Sequence, residues 1–195
     1  LSFLVLEPAK HEYACLCRTL PNVCVYGIGL MSAGGAQPLL VNPFSFPEGF
    51  PLHTHIDFLK QAFTCSFGLI PPAPYLLESA IYLAYERRGW DLMRGEHPNG
   101  HDPLSFPTLE DLLDTIDTVL DMAGYEHEIM QNLKSALRVR IGNLCLGPKG
   151  LSLCTPFSVP DNLLFDRSVV VELANLGSDE EKAFVMGLIL TRLYE

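Results

Sequence analysis

Three consecutive valines, Val169-Val170-Val171, run into Glu172 and Leu173 without the polar alternation of a half-exposed strand. Such a run suits a strand covered on both faces, as in a parallel sheet flanked by helices. Six residues after Glu172, Ser178-Asp179-Glu180-Glu181 has the form of a helix start. Ser178 is placed to accept from first-turn amides and Glu181 to reach back, with three carboxylates at the positive end of the helix dipole. The segment that follows is apolar nearly all round (Ala183, Phe184, Val185, Met186, Leu188, Ile189, Leu190, Leu193), which predicts burial against more than one neighbour.

Read from the other end, residues 2–7 form a strand stopped by Pro8, which has no N–H to give a ladder. A short helix over 9–20 ends at Pro21, residues 23–26 form a second strand, a Gly/Ser-rich loop covers 27–35, and 39–41 form a third strand. Helical period then takes over. Leu52, Ile56, Leu59, Phe63 and Phe67 share one face. After Pro71-Pro72, Pro74 suits the first turn of a helix carrying Leu77, Ile81, Ala84 and Tyr85. Residues 89–106 read as an extended loop. Thr108 with Asp111 starts a third helix through Leu109, Leu112, Leu113, Ile116 and Leu120, which Gly124 ends, and residues 126–141 form a fourth through Ile129, Leu133 and Leu137. Residues 144–153 read as two short strands around the turn Gly147-Pro148-Lys149-Gly150. The expected organisation is an α/β core built from 1–51 and 144–195, with an inserted helical subdomain at 52–143 packed on one edge of the sheet.

The chain has 195 residues, enough for one domain with a sizeable core. Its net charge of −10 argues against a surface that itself grips nucleic acid or an anionic membrane. No apolar run is long enough to span a bilayer, and the start lacks the basic region of a signal peptide. A start on Leu1 rather than Met suggests a trimmed chain. Six cysteines (Cys15, Cys17, Cys24, Cys65, Cys145, Cys154) occur without CxxC spacing, so plain thiols in a reducing, cytoplasmic setting are expected, with no disulfide and no structural metal.

Three stretches carry a family resemblance. VVVELANLGSDEEKAFVMGLILTRLYE at 169–195 resembles the HerA-type helicase branch of the P-loop ATPases, relatives of the FtsK-like DNA translocases. FLVLEPAKHEY at 3–13 resembles that family's second core strand and the acidic loop after it, and NPFSFPEGF onward through YERRGWDL resembles its middle region. The resemblance implies a partial P-loop NTPase (RecA/ASCE-like) parallel sheet with an inserted helical subdomain. It also implies a parent protein that uses ATP and Mg²⁺ to move or remodel DNA, as a homo-oligomeric ring, with a nuclease as a further partner. The family's phosphate-binding loop would lie before Leu1, and its acidic Walker B strand with the catalytic carboxylate after Glu195. The chain alone is therefore expected to be inactive and to hold no cofactor.

Within the chain, Gly142 to Gly147 followed by Pro148-Lys149 imitates a phosphate-binding loop and fails physically. That loop works by aiming consecutive N–H groups at phosphate, Pro148 removes one beside the lysine, and Gly150 lacks the magnesium-binding hydroxyl. Gly27-Ile28-Gly29 after a strand suggests a dinucleotide fingerprint, but Ser32 stands at the third glycine position. Glu7, Lys10 and Glu12 surround the end of the first strand and Glu172 ends the last, where open α/β sheets collect ligands. The resemblance implies that these four lie near the nucleotide or a subunit interface. A Lys10 pair with Glu7 or Glu12 on a solvated surface is the plainer alternative. His53 and His55, two apart on a helix, point away from each other, and with His97 and His101 they read as solvated or capping residues. Lys134, Arg138 and Arg140, like Arg87 and Arg88, suit helix C-termini better than DNA contacts. No nucleophile–base pair or metal-ligand set emerges, so no catalytic residue is assigned. Two readings stand: an interior segment of a HerA-type translocase, or a catalytically silent interaction module whose helical insertion docks a partner such as a nuclease.

Overall fold

The structure is a computed structural model that describes residues 2–10, 12–13, 15–20, 22–29 and 36–195. Four strands, β1 (Leu4–Glu7), β2 (Val23–Gly27), β3 (Gln37–Pro38) and β4 (Ser168–Glu172), form one sheet in the order β1-β4-β2-β3. Every pairing is parallel. β4 sits between β1 and β2, which is where the unbroken valine run belongs, because a central strand meets apolar neighbours on both faces. Val169 and Val171 point into the main core, while Val170 joins a second cluster with Val23, Val25 and Ala36 on the other face. Edge strand β3 lies two residues earlier than the expected 39–41, with both its residues exposed and Pro38 at its end. The ladder still reaches Leu39, whose N–H donates to the Gly27 carbonyl at 2.7 Å.

α1 (Leu16–Thr19) is shorter than the helix expected over 9–20. α2 (Leu52–Phe67), α3 (Ala73–Arg87), α4 (Leu109–Met122) and α5 (His127–Leu144) follow the helical period closely. In α2 the residues Leu52, Ile56, Leu59 and Phe63 are all buried. α4 begins with a full capping box between Thr108 and Asp111. The helices pack in sequence, α2 on α3, α3 on α4 and α4 on α5, and α2 also lies against α8 (Asp179–Tyr194). The buried cluster runs from Val169, Val171 and Phe184 through Phe63 and Leu77 to Leu112 and Leu137 without a break. Thr115, wholly buried in α4, donates to the Ala80 carbonyl of α3 at 2.9 Å, so even the polar group in this interface is satisfied. Asn42 and Phe44 anchor the start of the helical region. The Asn42 amide donates to the Pro107 carbonyl at 2.9 Å and its side-chain carbonyl accepts from Phe44 N–H at 3.0 Å. The Tyr85 hydroxyl in turn donates to the Phe44 carbonyl at 2.5 Å.

Four expectations are corrected. Residues 144–153 are not two strands: Leu144 closes α5 and Gly147–Leu153 is a helix, α6, with Pro148 in its first turn, where a missing N–H costs nothing. The cysteines are not all free. Cys145 and Cys154, at the C-caps of α5 and α6, are joined as a disulfide with Cα atoms 5.5 Å apart, a spacing such a bond requires. Cys15, Cys24 and Cys65 are free. His55 is neither solvated nor capping: it is buried, and its Nδ1 meets Glu195 Oε1 at 2.6 Å. Arg140 donates to the Ala136 carbonyl of its own helix at 3.0 Å, as expected, but the other basic residues at helix ends serve neighbouring helices. Arg88 pairs with Asp111 at 2.6 Å, Lys134 with Asp117 at 3.1 Å, and Arg138 with the same Asp117, clamping α3 to α4 and α4 to α5. Among the described residues no helix is long and apolar enough to cross a membrane. A short helix, α7 (Asp161–Leu164), leads into β4.

Candidate functional site

Because all four strands run the same way, their carboxyl ends share one edge. Glu7, Gly27 and Pro38 end β1, β2 and β3 there, beside Glu172 of β4. Glu7 is in register with Glu172, and Glu172 with Gly27. The two carboxylate-bearing residues are thus one strand spacing apart, about 4.8 Å. The ladder continues one step past them, with Leu173 N–H donating to the Glu7 carbonyl at 2.9 Å. Both acids are buried, Glu172 to 2% exposure and Glu7 to 9%.

Glu7 has a local task. Its Oε1 accepts from the backbone N–H groups of Ala9 at 3.2 Å and Lys10 at 3.0 Å. That pair of bonds turns the chain after Pro8, whose ring ended the strand. Lys10 and Glu12 pair with each other at 3.1 Å, and both are largely exposed. In that setting the pair contributes at most about 1 kcal/mol. The sheet edge therefore brings Glu7 and Glu172 together and leaves Lys10 and Glu12 on the rim outside them.

A third component was not anticipated. α6 lies against the loop leaving β2. Gly29 adopts φ +87°, its N–H donates to the buried Ser152 Oγ at 3.0 Å, and a Cβ at Gly29 would meet Pro148 Cβ at 3.0 Å. Ser152 also accepts Val41 N–H on its carbonyl at 2.9 Å. The imitation phosphate loop is excluded by this geometry as well as by its proline, since Gly142 to Leu144 are the last turn of α5. Ser32 lies outside the described residues. Glu181 was expected to reach back to the first turn of α8. It is instead buried and accepts from Asn143 Nδ2 at 2.7 Å while pairing with Lys149. Ser178 caps α8 by accepting Glu181 N–H at 3.4 Å, and its hydroxyl bonds Glu180, holding that carboxyl below its ordinary range.

No protein-family model matches the sequence, and no curated protein does. Among solved structures the chain is similar to VirB4 of Thermoanaerobacter pseudethanolicus, a P-loop ATPase. The TM-score is 0.66 at 21% identity, over 98% of this chain and 67% of that one. The fold is P-loop NTPase-like. The likeness is one of fold, carried by architecture rather than by sequence. In such a fold ATP–Mg²⁺ needs an amide cradle, a lysine at the outer phosphates and a hydroxyl on the metal. The described residues of this edge supply none of that cradle. They supply two buried carboxylates, Glu7 and Glu172, in register on neighbouring strands. Among the described residues no group of three His, Cys, Asp or Glu side chains is arranged to hold a metal by itself.

Proposed function

We propose that this chain is part of an ATP-driven DNA translocase or helicase of the HerA type, with the phosphate-binding loop and the acidic Walker B strand supplied by sequence outside residues 1–195. In this reading Glu7 and Glu172 face the nucleotide, and the exposed Lys10–Glu12 rim meets a neighbouring subunit of a homo-oligomeric ring. The observation that supports it best is the pair of buried acids held in register at the carboxyl edge of a parallel sheet, the edge at which open α/β folds bind their ligands. In this reading DNA contact falls to other parts of the assembly, in keeping with the net charge of −10.

Calorimetric titration of ATP–Mg²⁺ tests the reading. Residues 1–195 should bind no nucleotide, because acids without a cradle repel phosphate. A chain extended upstream through the phosphate loop and downstream through the acidic strand should bind and hydrolyse ATP, and Glu172→Gln in it should lower turnover about tenfold or more. Binding by the short chain, or a silent extended chain, overturns the proposal. The second result would favour a non-catalytic module that docks a nuclease.

A further inference from the structure

The disulfide closes the ends of one helix. Cys145 caps α5, Cys154 caps α6, and the seven residues of α6 lie between them. α6 is shorter than a self-sustaining helix and has no side-chain bond at its N-cap. It is folded tightly onto the cysteine-bearing turn, since a Cβ at Gly150 would lie 2.2 Å from the Cys145 carbonyl oxygen. Yet this short helix holds three separate parts of the molecule. Ser152 takes the Gly29 amide after β2 and the Val41 amide after β3, and Lys149 takes the buried Glu181 of α8. Both cysteines are half-buried, so a small thiol or disulfide can reach them.

We propose that Cys145 and Cys154 are a reversible thiol–disulfide site whose oxidation state sets how firmly α6 holds the loop leaving β2 at the sheet's carboxyl edge. The oxidant is a low-molecular-weight disulfide, RSSR. One cysteine thiolate attacks RSSR, forms a mixed disulfide and expels RS⁻. The second thiolate attacks the protein sulfur of that bond, forms Cys145–Cys154 and expels another RS⁻. The two protein thiols give up two protons and two electrons, which leave as two RSH. In the reduced protein α6 keeps its contacts without the covalent closure, and the Gly29 and Val41 amides open more often. Cys15 and Cys65 are exposed but free, so each reacts with alkylating agent as a single thiol and does not mimic this behaviour.

The test equilibrates the protein with mixtures of reduced and oxidised glutathione, traps thiols by alkylation and follows amide hydrogen exchange in each state. The oxidised protein should alkylate two fewer cysteines, with the peptides of Cys145 and Cys154 linked. Reduction should speed exchange at Gly29 and Val41 about tenfold or more, while the strand amides of Val169, Val170 and Val171 keep their protection. Cys154→Ser should show the reduced pattern under both conditions. The proposal fails if both cysteines alkylate fully in the oxidising mixture, or if the bond forms and the Gly29 and Val41 amides do not respond. No nucleotide enters these readouts, so a failed ATP titration leaves them unaffected.

Discussion

Glu181 gives a sharp test of how the end of the chain is built. Its carboxylate is 2% exposed, accepts from Asn143 and pairs with Lys149, whose side chain is 20% exposed. Glu181→Met removes the acid and strands a mostly buried ammonium and an amide donor. Breaking a buried pair from one side costs about 3–5 kcal/mol. Here Lys149 can swing its amine toward water, which reduces the loss to about 2–3 kcal/mol. For a chain of this size that lowers the melting temperature by about 4–12 °C. Lys149→Met should cost at least as much, because it leaves the carboxylate buried without its cation. The double variant Glu181→Met/Lys149→Met removes both charges and should recover most of the loss, with a coupling of about 2 kcal/mol or more. The assay is chemical denaturation of the four proteins, followed as a double-mutant cycle. An ordinary capping carboxylate would behave otherwise: Lys149→Met would be neutral and the two changes would add. Additive losses below about 0.5 kcal/mol would refute the buried network.

Tyr85→Phe should destabilise by about 1–3 kcal/mol, because it leaves the buried Phe44 carbonyl without its donor. Burial, and secondarily the Glu195 carboxylate, pushes the Tyr85 phenol well above its ordinary value, so a spectroscopic titration should leave at least one of seven tyrosines un-ionised until the protein unfolds. His101 sits among Phe46, Trp90 and Phe106, and burial lowers its pKa against the opposing charge of Glu48. The unfolded chain then binds the proton more readily than the folded one, so this residue's contribution is intact above the ordinary histidine value of about 6.5 and is lost progressively as pH falls from there through the lower folded-state value. An NMR midpoint above that value would show that Glu48 outweighs burial, and His101→Gln should flatten the stability profile in this window.

What the sequence revealed follows from where the physics is local. The valine run of β4, the faces of α2 and α4, the Thr108 cap and the first-turn Pro74 of α3 are each set by a few neighbouring residues, and each appears where its pattern placed it. Residues 144–153 failed for the opposite reason. Gly147-Pro148-Lys149-Gly150 has turn composition, but proline is welcome in a first helical turn, and Gly150 is required by the approach of the Cys145 carbonyl. A composition rule cannot distinguish a glycine that frees the backbone from one that makes room. The disulfide was missed because its spacing of nine residues matches no ligand motif, and its two cysteines meet only once two helix ends are placed. Histidine and arginine roles failed similarly: His55 finds Glu195 across 140 residues, and Arg138 finds Asp117 on a neighbouring helix.

The four candidate residues at the sheet edge divide along the same line. The location of Glu7 and Glu172 followed from strand direction alone, since a β-strand ending in glutamate must present that residue at the carboxyl edge of a parallel sheet, and Lys10 and Glu12 follow in the loop after β1. Their tasks did not. Glu7 spends one oxygen on two amides of its own loop, which fixes its side chain at a cost that any bound water or cation would share. Lys10 and Glu12 neutralise each other in solvent, so a partner subunit that used either would first displace a pair worth at most about 1 kcal/mol. Such a rim is easily re-paired, whereas the buried acids behind it are fixed in register by the ladder. A nucleotide site assembled here would therefore draw its geometry from Glu7 and Glu172 and leave its outer contacts to be set by whatever subunit arrives.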